Sequence, residues 1–180
     1  MSSTRKKPKL RIIETASKLF HKQGYNSTGI NQIISEASVA KASLYKHFNS
    51  KEELAIVYLN VRHDYWFENL KSFTNKKTEP KEIILAAFDF LVFMNEKENF
   101  RGCSFLNLIS EIPADNTVIL DVIQNHKSDL RQFFWRILKQ ETLEVTDHIF
   151  LLFESCLIES QVFKSNWPIE KSKSIVTKLI

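Results

Sequence analysis

Apolar positions along this chain recur every three to four residues almost from end to end, without sustained period-two alternation, so the pattern predicts an all-helical protein. Ile12, Ile13, Ala16, Leu19 and Phe20 form the stripe of a first helix from about Lys9 to Gln23, which Gly24 ends. Thr28 is placed to cap a second helix whose inner face carries Ile30, Ile33, Ile34 and Ala37. After a turn at Ser38-Val39-Ala40, Leu44 and Phe48 lie four residues apart and share the inner face of a third helix that runs to His47. Ser50 and Glu53 then have the spacing of a capping box, opening a long fourth helix at about 50–73 through Leu54, Val57, Tyr58, Val61, Tyr65 and Leu70.

A polar connector, 74–80, leads to Pro80, which suits the first turn of a helix. Ile83, Ile84, Ala87, Phe88, Leu91, Val92 and Met94 make that helix apolar all round, which predicts a central position. A short helix through Phe105, Leu106, Leu108 and Ile109 fits between Gly102 and Pro113, and three more follow at about 117–140, 145–165 and from Pro168 onward. The expected count is nine helices in two domains, 1–48 and 49–180, with the fourth helix connecting them.

Charge divides the chain more sharply than hydropathy does. Residues 1–51 hold ten Lys or Arg against Glu14 and Glu36, a net +8, whereas residues 52–180 hold fifteen against nineteen acids, a net −4. A basic front on a mildly acidic body predicts a polyanionic partner for the front. Arg5, Lys6, Lys7, Lys9 and Arg11 cluster ahead of the first helical stripe and could equally be a solvated tail. Two cysteines, Cys103 and Cys156, no signal-peptide pattern and no membrane-length apolar run lead to the expectation of a cytoplasmic protein without a membrane partner. Gly-rich phosphate loops, His-Glu-X-X-His, paired Cys motifs and nucleophile elbows are all missing, so no enzyme, cofactor or metal is expected.

Two short helices joined by a three-residue turn are the helix-turn-helix arrangement, whose second helix enters the major groove. With Leu44 and Phe48 inward, Lys41, Ser43, Tyr45 and Lys46 present cations, a hydroxyl and a phenol outward, the donors that phosphates and base edges accept. His47 could contact phosphate or close the junction with the fourth helix. Residues 10–55 resemble the N-terminal domain of the TetR family of bacterial transcriptional regulators, through Ala16, Leu19, Phe20, Gly24, Tyr25, Thr28, Ile30, Ile33, Ala37, Val39, Leu44, Tyr45, Phe48, Lys51 and Leu54. The resemblance implies that Lys41, Ala42, Ser43, Tyr45 and Lys46 face double-stranded operator DNA, with Thr28 and Lys51 on flanking phosphates. Ser38 stands where the family usually has Gly, and Ala40 where a capping hydroxyl is usual. A left-handed Ser38 would cost roughly 1 kcal/mol, and Ser38 is also a candidate to replace the missing cap.

For the body, the resemblance implies a small-molecule effector and a homodimer built on the last two long helices. Fourteen phenylalanines suit a hydrophobic or aromatic effector. The candidate ligand residues are Phe88, Phe105, Asn107, Glu111, His126, Phe134, Phe150 and Glu154, and the candidate dimer residues are Phe153, Leu157, Ser160 and Gln161. Arg101-Gly102-Cys103 resembles a stretch in one broad TetR subgroup, some of whose members sense electrophiles through cysteine, which makes Cys103 a redox candidate. The expectation is a ligand-responsive dimeric repressor. A cysteine-based redox repressor is the alternative, and a helical membrane-surface or small-molecule-binding protein without a DNA role is the alternative of a different class.

Overall fold

Pro8 opens α1 (Pro8–Gln23), because a residue without an amide hydrogen loses nothing in a first turn. Ile12, Ala16, Leu19 and Phe20 recur at helical spacing and are all buried, and Gly24 stops the helix at φ +94° while its N–H donates to the Phe20 carbonyl. The computed structural model to which these helices belong describes residues 6–180, and Arg5 of the basic cluster lies outside them. Among the described residues there are nine helices and no strand. The others are α2 (Ile30–Glu36), α3 (Lys41–His47), α4 (Lys51–Thr74), α5 (Pro80–Lys97), α6 (Ser104–Ile109), α7 (Thr117–Ile137), α8 (Leu143–Phe163) and α9 (Trp167–Leu179).

Packing groups these helices into two compact units, in a way that differs from a simple cut at residue 48. The first contains the chain up to His63 together with Ser104–Ile123; the second contains Asp64–Cys103 and Gln124–Ile180. In the first unit, α1 packs on α2 and α3 over Ile12, Ala16, Ile33, Leu44 and Phe48, none more than 2% exposed. In the second, α5 packs on α8 and α9, and its Ile84, Ala87, Phe88, Phe90 and Leu91 are completely buried, as an all-round apolar helix requires. Phe88, Phe153 and Phe134 form a run of edge-to-face rings with centroids 5.4 and 5.0 Å apart.

Several local expectations need correction. Thr28 does not cap α2: the N-cap is Gly29, and the Thr28 hydroxyl, fully buried, donates to the Gly24 carbonyl at 2.7 Å. Satisfying that interior carbonyl outweighs a cap that water can replace. Ser38 is left-handed at φ 52°, yet it does not cap α3, whose N-cap is Ala40 without a side-chain bond. Ser50 does accept from the Glu53 amide at 3.0 Å, but the Glu53 carboxylate takes the Asn49 amide at 2.7 Å rather than that of Ser50.

The left-handed serine is held by a residue first grouped with the basic cluster. Arg11 donates through Nη1 to the Ala37 and Ser38 carbonyls, at 2.8 and 3.0 Å, so its guanidinium pins the turn between the two short helices. Because Arg11 supplies the restraint, Ser38→Gly should keep the turn and stabilise the chain by roughly 0.5–1 kcal/mol in urea unfolding, by relieving the Cβ clash. A loss of similar size would mean that the Ser38 side chain has work to do.

Candidate nucleic-acid interface

The outer face of α3 is what its spacing dictates. Leu44 and Phe48 are 0% and 2% exposed and fix the helix to the core, while Lys41, Ala42, Tyr45 and Lys46 are exposed, Tyr45 at 46%. Ser43 and His47 are half-buried at the edges of that face. A phenol left nearly half in water, between two lysines and with no core role, is placed for an external hydrogen-bond partner. Lys9 reaches over the Phe48 ring at 6.0 Å, adding a cation beside the same helix.

Lys51 occupies the first position of α4, and its ammonium lies 4.1 Å from the centroid of the Tyr25 ring. Partial burial lowers its pKa, and the Glu111 carboxylate pulls it back up. Lys51 is therefore engaged inside its own unit, by an aromatic ring and by the charge of a carboxylate. Thr28, by contrast, is fully buried with its hydroxyl turned inward, so of the two flanking candidates only Lys51 has a side chain that is not fully buried.

The ligand candidates are divided between the two units. Phe105, Asn107 and Glu111 belong to the first unit, and Phe88, His126, Phe134, Phe150 and Glu154 to the second. Glu111 is committed to its own unit: its carboxylate accepts from the Asn26 amide at 2.6 Å, and its carbonyl from Asn26 Nδ2 at 2.8 Å. Phe105 is 2% exposed, and Asn107 is half-buried on the same short helix. Phe88 and Phe134 are fully buried in the ring cluster, Phe150 borders it at 6.3 Å from Phe134, and His126 is 2% exposed against the rings of Trp66 and Phe67. Glu154 pairs with Lys127 at 2.5 Å, and its other oxygen is buried without a hydrogen-bond partner.

Cys103 is 5% exposed and lies 3.5 Å from the same Lys127 ammonium. Burial by itself lowers the Lys127 pKa, but Cys103 and Glu154 outweigh it and hold the group above its usual value. Burial pushes the Cys156 thiol up.

The dimer candidates need a clear correction. Phe153, Leu157 and Ser160 are 0–3% exposed inside their own unit, and Gln161 packs where a Cβ on Gly102 would lie. The three buried groups already fill their own core and are not free to meet a second chain, while Gln161 is half-buried. The opposite face of the same helix is open: Leu151, Ile158 and Val162 are 61, 48 and 66% exposed at helical spacing, and Ile175 of α9 is 46% exposed. A groove of about 410 Å³ beside them is lined by His148, Leu151, Leu152, Ser155, Ile175 and Leu179. The signal was legible, since α8 is apolar on two faces and a helix with two apolar faces needs two partners.

Residues 12–57 match the sequence model of the family described as "Bacterial regulatory proteins, tetR family". The HTH-type transcriptional regulator LmrA of Bacillus subtilis (strain 168) is 42% identical over 77 residues, 42% of this chain and 41% of LmrA, so the match spans about two-fifths of that relative. The biofilm operon icaADBC HTH-type negative transcriptional regulator IcaR of Staphylococcus aureus (strain Newman) is 26% identical over 91% of this chain and 90% of its own length. In fold, the chain is similar to the crystal structure of SCO4454, a TetR-family transcriptional regulator from Streptomyces coelicolor, with a TM-score of 0.88, 23% identity, and coverage of 96% of this chain and 87% of that one.

Proposed function

Through residues 12–57 this chain is a member of the TetR family of bacterial regulatory proteins, and we propose that it acts as a dimeric repressor that leaves a palindromic operator when a small hydrophobic or aromatic effector binds its body. One observation carries the DNA reading: the exposed lysines and phenol of α3, standing on the wholly buried Leu44 and Phe48. In this reading Lys41, Ala42, Ser43, Tyr45, Lys46 and His47 lie along the major groove and Lys51 on a flanking phosphate. The exposed α8 and α9 residues Leu151, Ile158, Val162 and Ile175 join two copies, which places two recognition helices on one face of the duplex.

A hydrophobic effector would have to open space beside the packed aromatic cluster of the second unit, and the Glu154 oxygen that is buried without a hydrogen-bond partner would offer it one polar anchor. Release is a population shift. A body state favoured by the effector displaces α4, a continuous helix from Lys51 to Thr74, and takes the two reading heads out of register. A hundredfold loss of operator affinity requires about 2.7 kcal/mol of differential effector affinity between the two states. No helix among the described residues is long and apolar enough to cross a membrane; in this reading the repressor works in the cytoplasm, on operator DNA.

Sequencing the genomic fragments that the purified chain retains tests this reading. Enrichment of an inverted repeat, with half-sites roughly one helical turn (~34 Å) apart or somewhat more, is the expected result. Retention without any shared sequence would remove the operator from the account.

A further inference from the structure

The segment that begins at Ser104 is tied into the DNA-reading unit by side chains from both of its ends. Ser104 Oγ lies 3.2 Å from His21 Nδ1 on α1. Beyond α6, Glu111 holds the Gly24–Asn26 turn through both Asn26 nitrogens, and its carboxylate lies so close to Gly24 that a Cβ there would come within 2.6 Å of Oε1. Asn116 caps α7 through Ile119 and donates to the Glu52 carboxylate at 2.5 Å, on the first turn of α4. Glu111 and Lys51 therefore border the same short turn. The ammonium rests on the Tyr25 ring, and the carboxylate sits on the peptide that follows Tyr25.

We propose that Glu111 is an intramolecular competitor of operator phosphate: the α6–α7 segment carries its carboxylate against the Gly24–Asn26 turn, where it occupies the field of Lys51 and lowers the affinity of the reading unit for DNA. This rests on the reading of Lys51 as a phosphate contact. A carboxylate and a phosphate oxygen seek the same donor, so an ammonium whose charge Glu111 already partly offsets holds a phosphate less tightly. The competitor stands on a segment separate in sequence from the helix-turn-helix. Any displacement of the α6 end thus changes DNA affinity while leaving the base-reading residues of α3 untouched. The Glu111 charge already registers at Lys51 by opposing the effect of burial on its pKa.

Glu111→Gln keeps an acceptor for the Asn26 amide and removes only the charge. On a duplex selected by the wild-type chain, Glu111→Gln should bind about three- to tenfold tighter, with both protomers contributing. Asp121→Asn, which removes an exposed charge from α7 of the same unit, should not. In a Lys51→Gln background the gain should vanish, because the competition needs both partners. Unchanged affinity in Glu111→Gln, or an equal gain in Asp121→Asn or without Lys51, would overturn the proposal. Titration of the Lys51 side chain by carbon-detected NMR needs no DNA: Glu111→Gln should lower its pKa and Asp121→Asn should not. That result separates a failed competition from a failed DNA reading.

Discussion

In the proposed dimer, Ile158→Asp should give monomers and abolish tight operator binding, while the helical content of each chain survives. Ile158 is 48% exposed in the single chain, so a polar replacement costs its own fold little. In the proposed two-fold interface the same change acts twice. Two carboxylates are brought together among Leu151, Val162 and Ile175, where neither finds a partner and each loses its water. The dimer dissociation constant should rise at least about a hundredfold, which corresponds to ~2.7 kcal/mol. Operator affinity then falls by roughly 10²–10⁴, because a monomer holds one half-site and forfeits the effective concentration that seats the second. Analytical ultracentrifugation at micromolar concentration checks the first statement, and anisotropy with a full and a half operator checks the second. A dimer that persists in Ile158→Asp would move the interface away from α8.

Tyr45→Ala and Lys46→Ala are the second pair, and here the loss lies in recognition. Both side chains are exposed, so the variants should unfold within about 0.5 kcal/mol of the parent. Each should weaken operator binding by roughly 1–3 kcal/mol, about five- to 150-fold. The two roles open to Lys46 leave different traces. If it neutralises a phosphate, Lys46→Ala weakens all sequences alike and reduces the salt slope by about 1 per contact; if it reads guanine acceptors, the preference at one base pair relaxes. Normal operator binding by both variants would show that α3 does not lie on DNA.

Helix order was legible because it depends on local spacing. Leu44 and Phe48 four apart, Gly24 after a fifth apolar position and Pro80 before an apolar run each specify an element without reference to the rest of the chain. Side-chain partners were less so. Thr28 reads as a cap until the Gly24 carbonyl, four residues earlier, proves to need its hydroxyl. Arg11 reads as one cation in a basic cluster, and only folding brings it 26 residues along the chain to the Ala37 carbonyl. Glu111 looked like an effector contact, although its nearest donor is the Asn26 amide, 85 residues away. On α8 the helix was placed correctly and its faces were exchanged: Phe153 and Leu157 face inward, while Leu151 and Ile158 face out. On a helix apolar on two sides, periodicity cannot say which side meets its own chain. The spread of ligand candidates over two units has the same origin, since aromatic residues at helical spacing fill a core as readily as they line a cavity.

The central claim is that the cationic face of α3, paired by two-fold symmetry, holds phosphates of a duplex. Salt titration of wild-type binding to its selected operator tests it most directly. If Lys41, Lys46 and Lys51 of both protomers each meet a phosphate, about six are neutralised, so log K should fall with log salt at a slope near −5 and affinity should drop about a thousandfold between 50 and 200 mM. A slope near zero, or binding to anionic lipid vesicles that outcompetes the operator, would contradict it.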